Sequence, residues 1–213
     1  MTADTLSEIY SRLMEHFGPQ NWWPGETPFE VMVGAILTQN TNWGNVEKAI
    51  QRIKDAGMLS LEKLVELPSG LLAEYIRPAG YYNVKAARLL NLCHCIVNHG
   101  DGTVAGFLAQ PLAPLRNQLL GVKGVGQETA DCILLYAAQL PIFVVDTYTY
   151  RVLSRHDLVG EPSSYNEMQE LFMDNLDIDV DVFNEYHALL VQVGKQYCRK
   201  KNPACTSCPL NGI

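Results

Sequence analysis

An all-α fold is what this sequence predicts, and three observations predict it. Apolar residues recur at helical spacing along almost the whole chain, no segment alternates apolar and polar residues as a half-buried strand would, and helix-opening and helix-closing residues flank the apolar runs. The 213 residues, 47% of them hydrophobic, supply enough apolar surface for one large domain or two small ones.

The helices follow in order. Leu6, Ile9, Tyr10, Leu13, Met14 and Phe17 form the apolar face of the first, with Thr5 or Asp4 expected as its cap and Gly18-Pro19 as its end. Thr27-Pro28 opens the second, proline being tolerated at an early helical position, and Phe29, Met32, Val33, Ile36 and Leu37 are its buried side. Periodicity predicts further helices over 43–56, 60–66, 69–76, 83–98, 104–109, 112–120, 127–139, 146–155, 164–174 and 181–193. The connections are short and there is no low-complexity segment.

No run of about 18 uncharged apolar residues is present, and Met1-Thr2-Ala3-Asp4-Thr5 lacks the basic start and apolar stretch of a signal peptide. The expectation is a soluble, cytoplasmic protein with no membrane partner. Six cysteines in such a compartment point to metal ligation or buried thiols rather than disulfides, and Cys93, Cys95 and Cys132, on apolar helix faces, are expected to be buried. The net charge of −7 runs against nucleic-acid binding, which usually draws on a basic surplus. The charge is uneven, however: Tyr186 to Ile213 carries Lys195, Arg199, Lys200 and Lys201 and no acid, which leaves room for a local basic face.

Four groups of residues carry chemistry. Gly124-Val125-Gly126 lies between two helical segments, where glycines permit a tight turn and let backbone N–H groups at a helix start approach a phosphate; a plain helix–helix turn is the bland alternative. Asp146 follows the apolar run Ile142-Phe143-Val144-Val145 and precedes a helix, so it is an N-cap candidate, a position that also fixes a carboxylate in place. All three tryptophans, Trp22, Trp23 and Trp43, fall within 22 residues, and the first two sit among Asn21, Pro24 and Gly25 rather than on a helix stripe. They are either core or the wall of a binding cleft. Three of the six cysteines, Cys198, Cys205 and Cys208, lie in the last sixteen residues.

The run Leu120-Gly121-Val122-Lys123-Gly124-Val125-Gly126-Gln127-Glu128-Thr129-Ala130-Asp131, followed by Val144-Val145-Asp146-Thr147, resembles the helix-hairpin-helix and catalytic loop of the endonuclease III superfamily of DNA glycosylases. Trp22-Trp23-Pro24, and Leu37-Thr38-Gln39-Asn40-Thr41 with Trp43 two residues on, are similar to its 3-methyladenine DNA glycosylase branch. The resemblance implies a two-lobed helical fold: a six-helix barrel over 24–138 with the hairpin, and a lobe of 1–23 and 139–213 with a C-terminal iron–sulfur loop, the active site lying in the cleft between them.

It also implies roles. Asp146 would be the catalytic carboxylate, stabilising the oxocarbenium-like transition state of N-glycosidic bond cleavage or activating the water that captures it. Trp22, Trp23, Pro24 and Trp43 would enclose the flipped base. An N-alkylated purine carries positive charge, which aromatic faces attract by about 0.5–2 kcal/mol. Gln39 would fill the gap left by the flipped nucleotide and Tyr81, otherwise a packing residue, would be an intercalating wedge. Lys123, Gly124, Val125, Gly126 and Thr129 would contact DNA. Where strand-cleaving members carry a nucleophilic lysine this chain has Glu128, and a carboxylate cannot form a Schiff base. Glu128 is either a solvated helix residue or a contact to the flipped nucleotide or its water.

The spacing of Cys198, Cys205 and Cys208 matches the first three ligands of the family's four-cysteine loop, which would place a fourth at position 214, beyond Ile213. The resemblance thus implies a 4Fe-4S cluster on three cysteines of this chain; zinc and free thiols are the alternatives. The expected activity is monofunctional excision of an alkylated purine, of the 3-methyladenine type, from double-stranded DNA by a monomer. The alternatives are a mismatch or oxidised-base glycosylase and a non-catalytic DNA-binding iron–sulfur protein.

Overall fold

The computed structural model describes residues 2–213, and every element among them is helical. In chain order the α-helices are α1 (Thr2–Phe17), α2 (Pro28–Leu37), α3 (Trp43–Asp55), α4 (Leu61–Glu66), α5 (Ser69–Tyr75), α6 (Tyr82–Val97), α7 (Val104–Leu108), α8 (Leu112–Gly121), α9 (Gln127–Cys132), α10 (Thr147–Arg155), α11 (Tyr165–Met173) and α12 (Val180–Gln196). No helix among these residues is long and apolar enough to cross a membrane.

Two local expectations need correction. Helix α1 begins at Thr2, so neither Asp4 nor Thr5 caps it; Asp4 lies in the first turn, where a carboxylate meets the positive end of the helix dipole. The single helix expected over 127–139 is α9 followed by a π-helical turn, Ile133–Ala137, in which Ala138 N–H reaches back five residues to Ile133 O at 3.0 Å. All five residues of that turn are buried, so the apolar run that suggested one regular helix reflects burial on every side. The second helix starts as expected: Thr27 accepts from the Glu30 N–H at 3.1 Å and Pro28 stands in the first turn.

The chain divides into two compact units, residues 23–140 and residues 2–22 with 141–213, so Trp22 and Trp23 fall on opposite sides of the division. In the 23–140 unit α2 is the central helix, with every residue from Phe29 to Leu37 buried. Glu30, on its buried side, is paired at 2.9 Å with Lys54 of α3, which avoids leaving a lone charge in the interior. In the other unit α12 is flanked by α10 and α1. Phe143 stacks on Phe172 with centroids 3.8 Å apart and meets Tyr186 edge-on, and the Tyr186 hydroxyl donates to Leu6 O at 2.8 Å.

Candidate active site

The hairpin occupies residues 122–126 between α8 and α9. Gly124 has φ +100°, a region that L side chains rarely adopt, and a Cβ there would stand 2.8 Å from Arg88 Cδ. Gly126 differs: its φ of −100° is open to any residue and nothing lies within 4 Å of a Cβ added to it. It caps α9 with no side-chain hydrogen bond. Behind the turn, the fully buried Asp131 receives Arg116 in a two-point contact, Nε to Oδ1 at 2.7 Å and Nη2 to Oδ2 at 3.1 Å, tying α9 to α8.

Gln39 braces the hairpin from the α2–α3 loop. Its Nε2 donates to Gly124 O at 3.1 Å and to Thr129 Oγ1 at 3.0 Å, while its Oε1 accepts from Arg88. Val125 and Thr129 are buried, Lys123 and Glu128 are exposed, and Glu128 lies in the first turn of α9. Two residues of this assembly were invisible to motif reasoning. Arg88 is one; the other is Lys85, buried on α6, whose Nζ donates to Leu37 O at 2.8 Å and Ala79 O at 2.7 Å. Burial, reinforced by Arg88 nearby, pushes the Lys85 ammonium down to about 8. Lys85 thus joins the end of α2, which leads to Gln39, to the turn that carries Tyr81. Tyr81 itself is 74% exposed and holds a left-handed backbone at φ 47°, uncommon for a bulky residue.

The tryptophans take different partners. Trp23 meets Trp43 edge-on, centroids 5.1 Å apart, and lies tilted against Tyr136 at 5.3 Å. Gly34 on α2 allows this approach, since a Cβ there would come within 3.2 Å of the Trp23 indole nitrogen. Trp43 donates its indole N–H to Glu47 at 2.8 Å, and Pro24 is exposed. Tyr136 was not foreseen, because it lies in a continuous apolar stretch; it sits in the π-helical turn, beside Trp23. Trp22 instead has the Lys195 ammonium over its ring at 5.8 Å.

Asp146 caps α10. Its Oδ1 accepts from Tyr148 N at 2.9 Å, Thr149 N at 2.7 Å and Thr149 Oγ1 at 3.0 Å, while Oδ2 stands 3.7 Å from Nε2 of the buried His187 on α12. Burial is the strongest single influence on this carboxyl and acts to raise it. The hydrogen-bonding and charge of His187 and the bonds from Thr149 outweigh it, and the group sits below the usual aspartate range. Asp146 therefore holds its charge at neutral pH although it is only partly exposed to solvent.

Cys198, Cys205 and Cys208 face one cavity of about 200 Å³, lined also by Arg155, His156 and Tyr197. Arg155 donates to the Cys198 sulfur at 3.3 Å. Burial pushes the Cys208 thiol up, and the nearness of Cys198 and Cys205 adds to the rise. Among the described residues no three Cys, His, Asp or Glu side chains stand as ligands of a single metal ion. Thiolates are the ligands that an iron–sulfur group takes, and three cysteines around one cavity fit such a group, as they would also fit zinc. Of the other cysteines, Cys93 and Cys132 are buried as expected and Cys95 is only half-buried.

A braced helix-hairpin-helix and a helix-capping aspartate on an all-helical frame are the parts of a DNA repair glycosylase. Residues 33–177 match the model of the HhH-GPD superfamily of base excision DNA repair proteins, and the chain belongs to that superfamily. It is 46% identical over 208 residues, 97% of this chain and 94% of its relative, to the provisionally named DNA repair glycosylase MJ1434 of Methanocaldococcus jannaschii. Endonuclease III of Thermotoga maritima is 27% identical over 95% of this chain and 89% of its own. Among solved structures, the Helicobacter pylori 3-methyladenine DNA glycosylase MagIII bound to 1,N6-ethenoadenine superposes with TM-score 0.79 at 30% identity, covering 92% of this chain and 97% of that one. The expected resemblance to the superfamily and to its 3-methyladenine branch therefore holds. An endonuclease III–DNA covalent intermediate shares the fold, with TM-score 0.84 at 23% identity over 99% of this chain and 94% of that one.

Proposed function

We propose that this DNA repair glycosylase is monofunctional and excises alkylated purines of the 3-methyladenine type from duplex DNA, acting as a monomer in the cytoplasm. The observation that carries the reading is Asp146, a partly exposed carboxylate kept anionic, with one oxygen saturated by helix donors. In the proposed reaction water bonds to C1′, the base departs with the bonding electron pair, and the carboxylate stabilises the charge on the sugar and accepts the water's proton. A cationic alkylated base leaves as a neutral molecule, so no strong general acid is required. The aromatic group of Trp23, Trp43 and Tyr136 supports recognition of such a base, with Pro24 beside it.

At the hairpin, Gly126 meets no side-chain constraint at its Cβ position, which supports a close approach by a phosphate to the start of α9; Thr129 would contribute through its backbone N–H and Lys123 through its charge, while Val125, whose N–H donates to Val122 O at 3.0 Å, would shape the turn. Tyr81, exposed on a left-handed turn, would be the wedge. Gln39 fills the gap of the flipped nucleotide only by giving up its three hydrogen bonds. Glu128 offers no amine, so strand cleavage by β-elimination is not expected. Cys198, Cys205 and Cys208 would hold a 4Fe-4S cluster that shapes the basic loop. One observation favours the neutral-base alternative: the Lys195 ammonium over the Trp22 ring would repel a cationic base at that ring.

The test is incubation with duplexes carrying an alkylated purine, uracil, thymine glycol or 8-oxoguanine, with and without hot alkali. Release of the alkylated base, with strand breaks only after alkali, is expected, and Asp146→Asn should abolish release while leaving duplex binding intact. Breaks without alkali would overturn the monofunctional reading, and preferred release of a neutral base would establish the alternative. Protein isolated without air should show broad visible absorption and bound iron, both lost in Cys205→Ala.

A further inference from the structure

Three donors of α10 fix Oδ1 of Asp146, while Oδ2 stands toward Nε2 of His187 on α12. We infer that His187 is a positioning residue for Asp146, its imidazole on α12 fixing the orientation and charge of the carboxylate oxygen that faces the reaction. The inference rests on the glycosylase reading for its catalytic consequence and on geometry for the rest.

The placement of His187 is built in. Helix α12 lies against α10 at Gly194, where a Cβ would come 2.8 Å from Tyr148 Cβ, so only glycine permits this separation. Arg151 of α10 clasps α12 by donating Nη2 to Gly194 O at 2.9 Å and Nε to Cys198 O. His187 lies two helical turns N-terminal to Gly194 on α12, 5% exposed, with Nε2 3.7 Å from Asp146 Oδ2. That is longer than a hydrogen bond and within ion-pair distance whenever the imidazole is protonated. The direction of the Asp146 shift agrees, since His187 is the leading influence that lowers it.

Several other titratable groups on the elements around the pair are placed or partnered elsewhere. Tyr148 lies under the Arg151 guanidinium. On α12, Tyr186 donates to Leu6 O, Glu185 accepts from Gln20 N, Lys195 stands over Trp22, and Asp179 and Asp181 lie at the helix start. On α1, Tyr10 meets Tyr186, Glu8 pairs with Arg12, and His16 contacts the Tyr197 hydroxyl.

The experiment compares wild type, His187→Gln and His187→Leu in the full chain by single-turnover base release, duplex affinity and the 13C titration of the Asp146 carboxyl. His187→Leu should slow release by at least about tenfold with duplex affinity changed little, and His187→Gln, which keeps a donor, should recover part of the loss. The Asp146 titration should move up in both variants. A His187→Leu rate within about twofold of wild type, or an Asp146 titration that does not move, overturns the inference. If His187→Leu fails to fold, the His187→Gln titration decides. If wild type releases no base from any duplex, the glycosylase reading fails, and the Asp146 titration still decides whether His187 governs that carboxylate.

Discussion

Helices α9 and α10 begin in opposite ways. Helix α10 is closed by its own sequence: the Asp146 carboxylate takes up the Tyr148 and Thr149 N–H groups. Helix α9 starts at Gly126, which supplies no side-chain cap. A helix start leaves its first N–H groups without partners inside the helix, and a capping side chain is one way to supply an acceptor there. Closing the first start aims a carboxylate; under the proposed function the second, which has no side-chain cap from Gly126, is the one a phosphate approaches. The open start also has the heavier scaffold: Gln39, Arg88 and the Arg116–Asp131 pair all bear on the hairpin, whereas Asp146 is held mainly by α10 itself and by His187.

The largest effect should come from removing that scaffold. Asp131→Ala leaves Arg116 without its buried counter-charge and should cost about 3–5 kcal/mol of unfolding free energy, read by urea titration. A loss below about 1 kcal/mol would place the pair among ordinary surface bridges. Gly124→Ala comes next. The strained φ and the approach to Arg88 should cost about 1–3 kcal/mol and weaken duplex binding by distorting the turn.

Much of this was legible in the sequence, for identifiable reasons. Helical periodicity and caps such as Thr27 and Asp146 are local, and both cap as their residue types predict. Gly124 is likewise a local demand of the turn. His187, Arg88 and Tyr136 were not legible, because each acquires its role from a partner 41, 49 or 113 positions away in sequence, namely Asp146, Gln39 and Trp23. Lys85 left a signal that could have been used, a lysine on the same helical face as Leu89, Leu92 and Ile96. A cation placed there must find buried acceptors, and carbonyls at helix ends are the natural ones.

The closed start should show a smaller, pH-dependent effect. The Asp146 carboxyl titrates below its unfolded value, near about 3.9, so the unfolded chain binds the proton first and stability falls as pH drops through and below that value. The contribution is fully present at neutral pH. Asp146→Ala should remove about 0.5–2 kcal/mol at pH 7, the usual worth of such a cap, with the difference from wild type shrinking under acid. A difference that stayed constant down to low pH would mean that the carboxylate charge contributes nothing to α10.

The smallest effect on stability belongs to the open start and separates the two ends most sharply. Gly126→Ser places a hydroxyl where a cap belongs, at a φ that serine adopts freely and with no atom within 4 Å of the new Cβ. Stability should change by only a few tenths of a kcal/mol, in the stabilising direction, because glycine is already a tolerable N-cap. The hydroxyl now competes for the N–H groups that a phosphate would use, so duplex affinity should fall although the fold improves slightly. The salt dependence of binding should also become shallower as one phosphate contact is lost. Unchanged affinity with an unchanged salt slope would mean that the start of α9 is open for reasons unrelated to DNA.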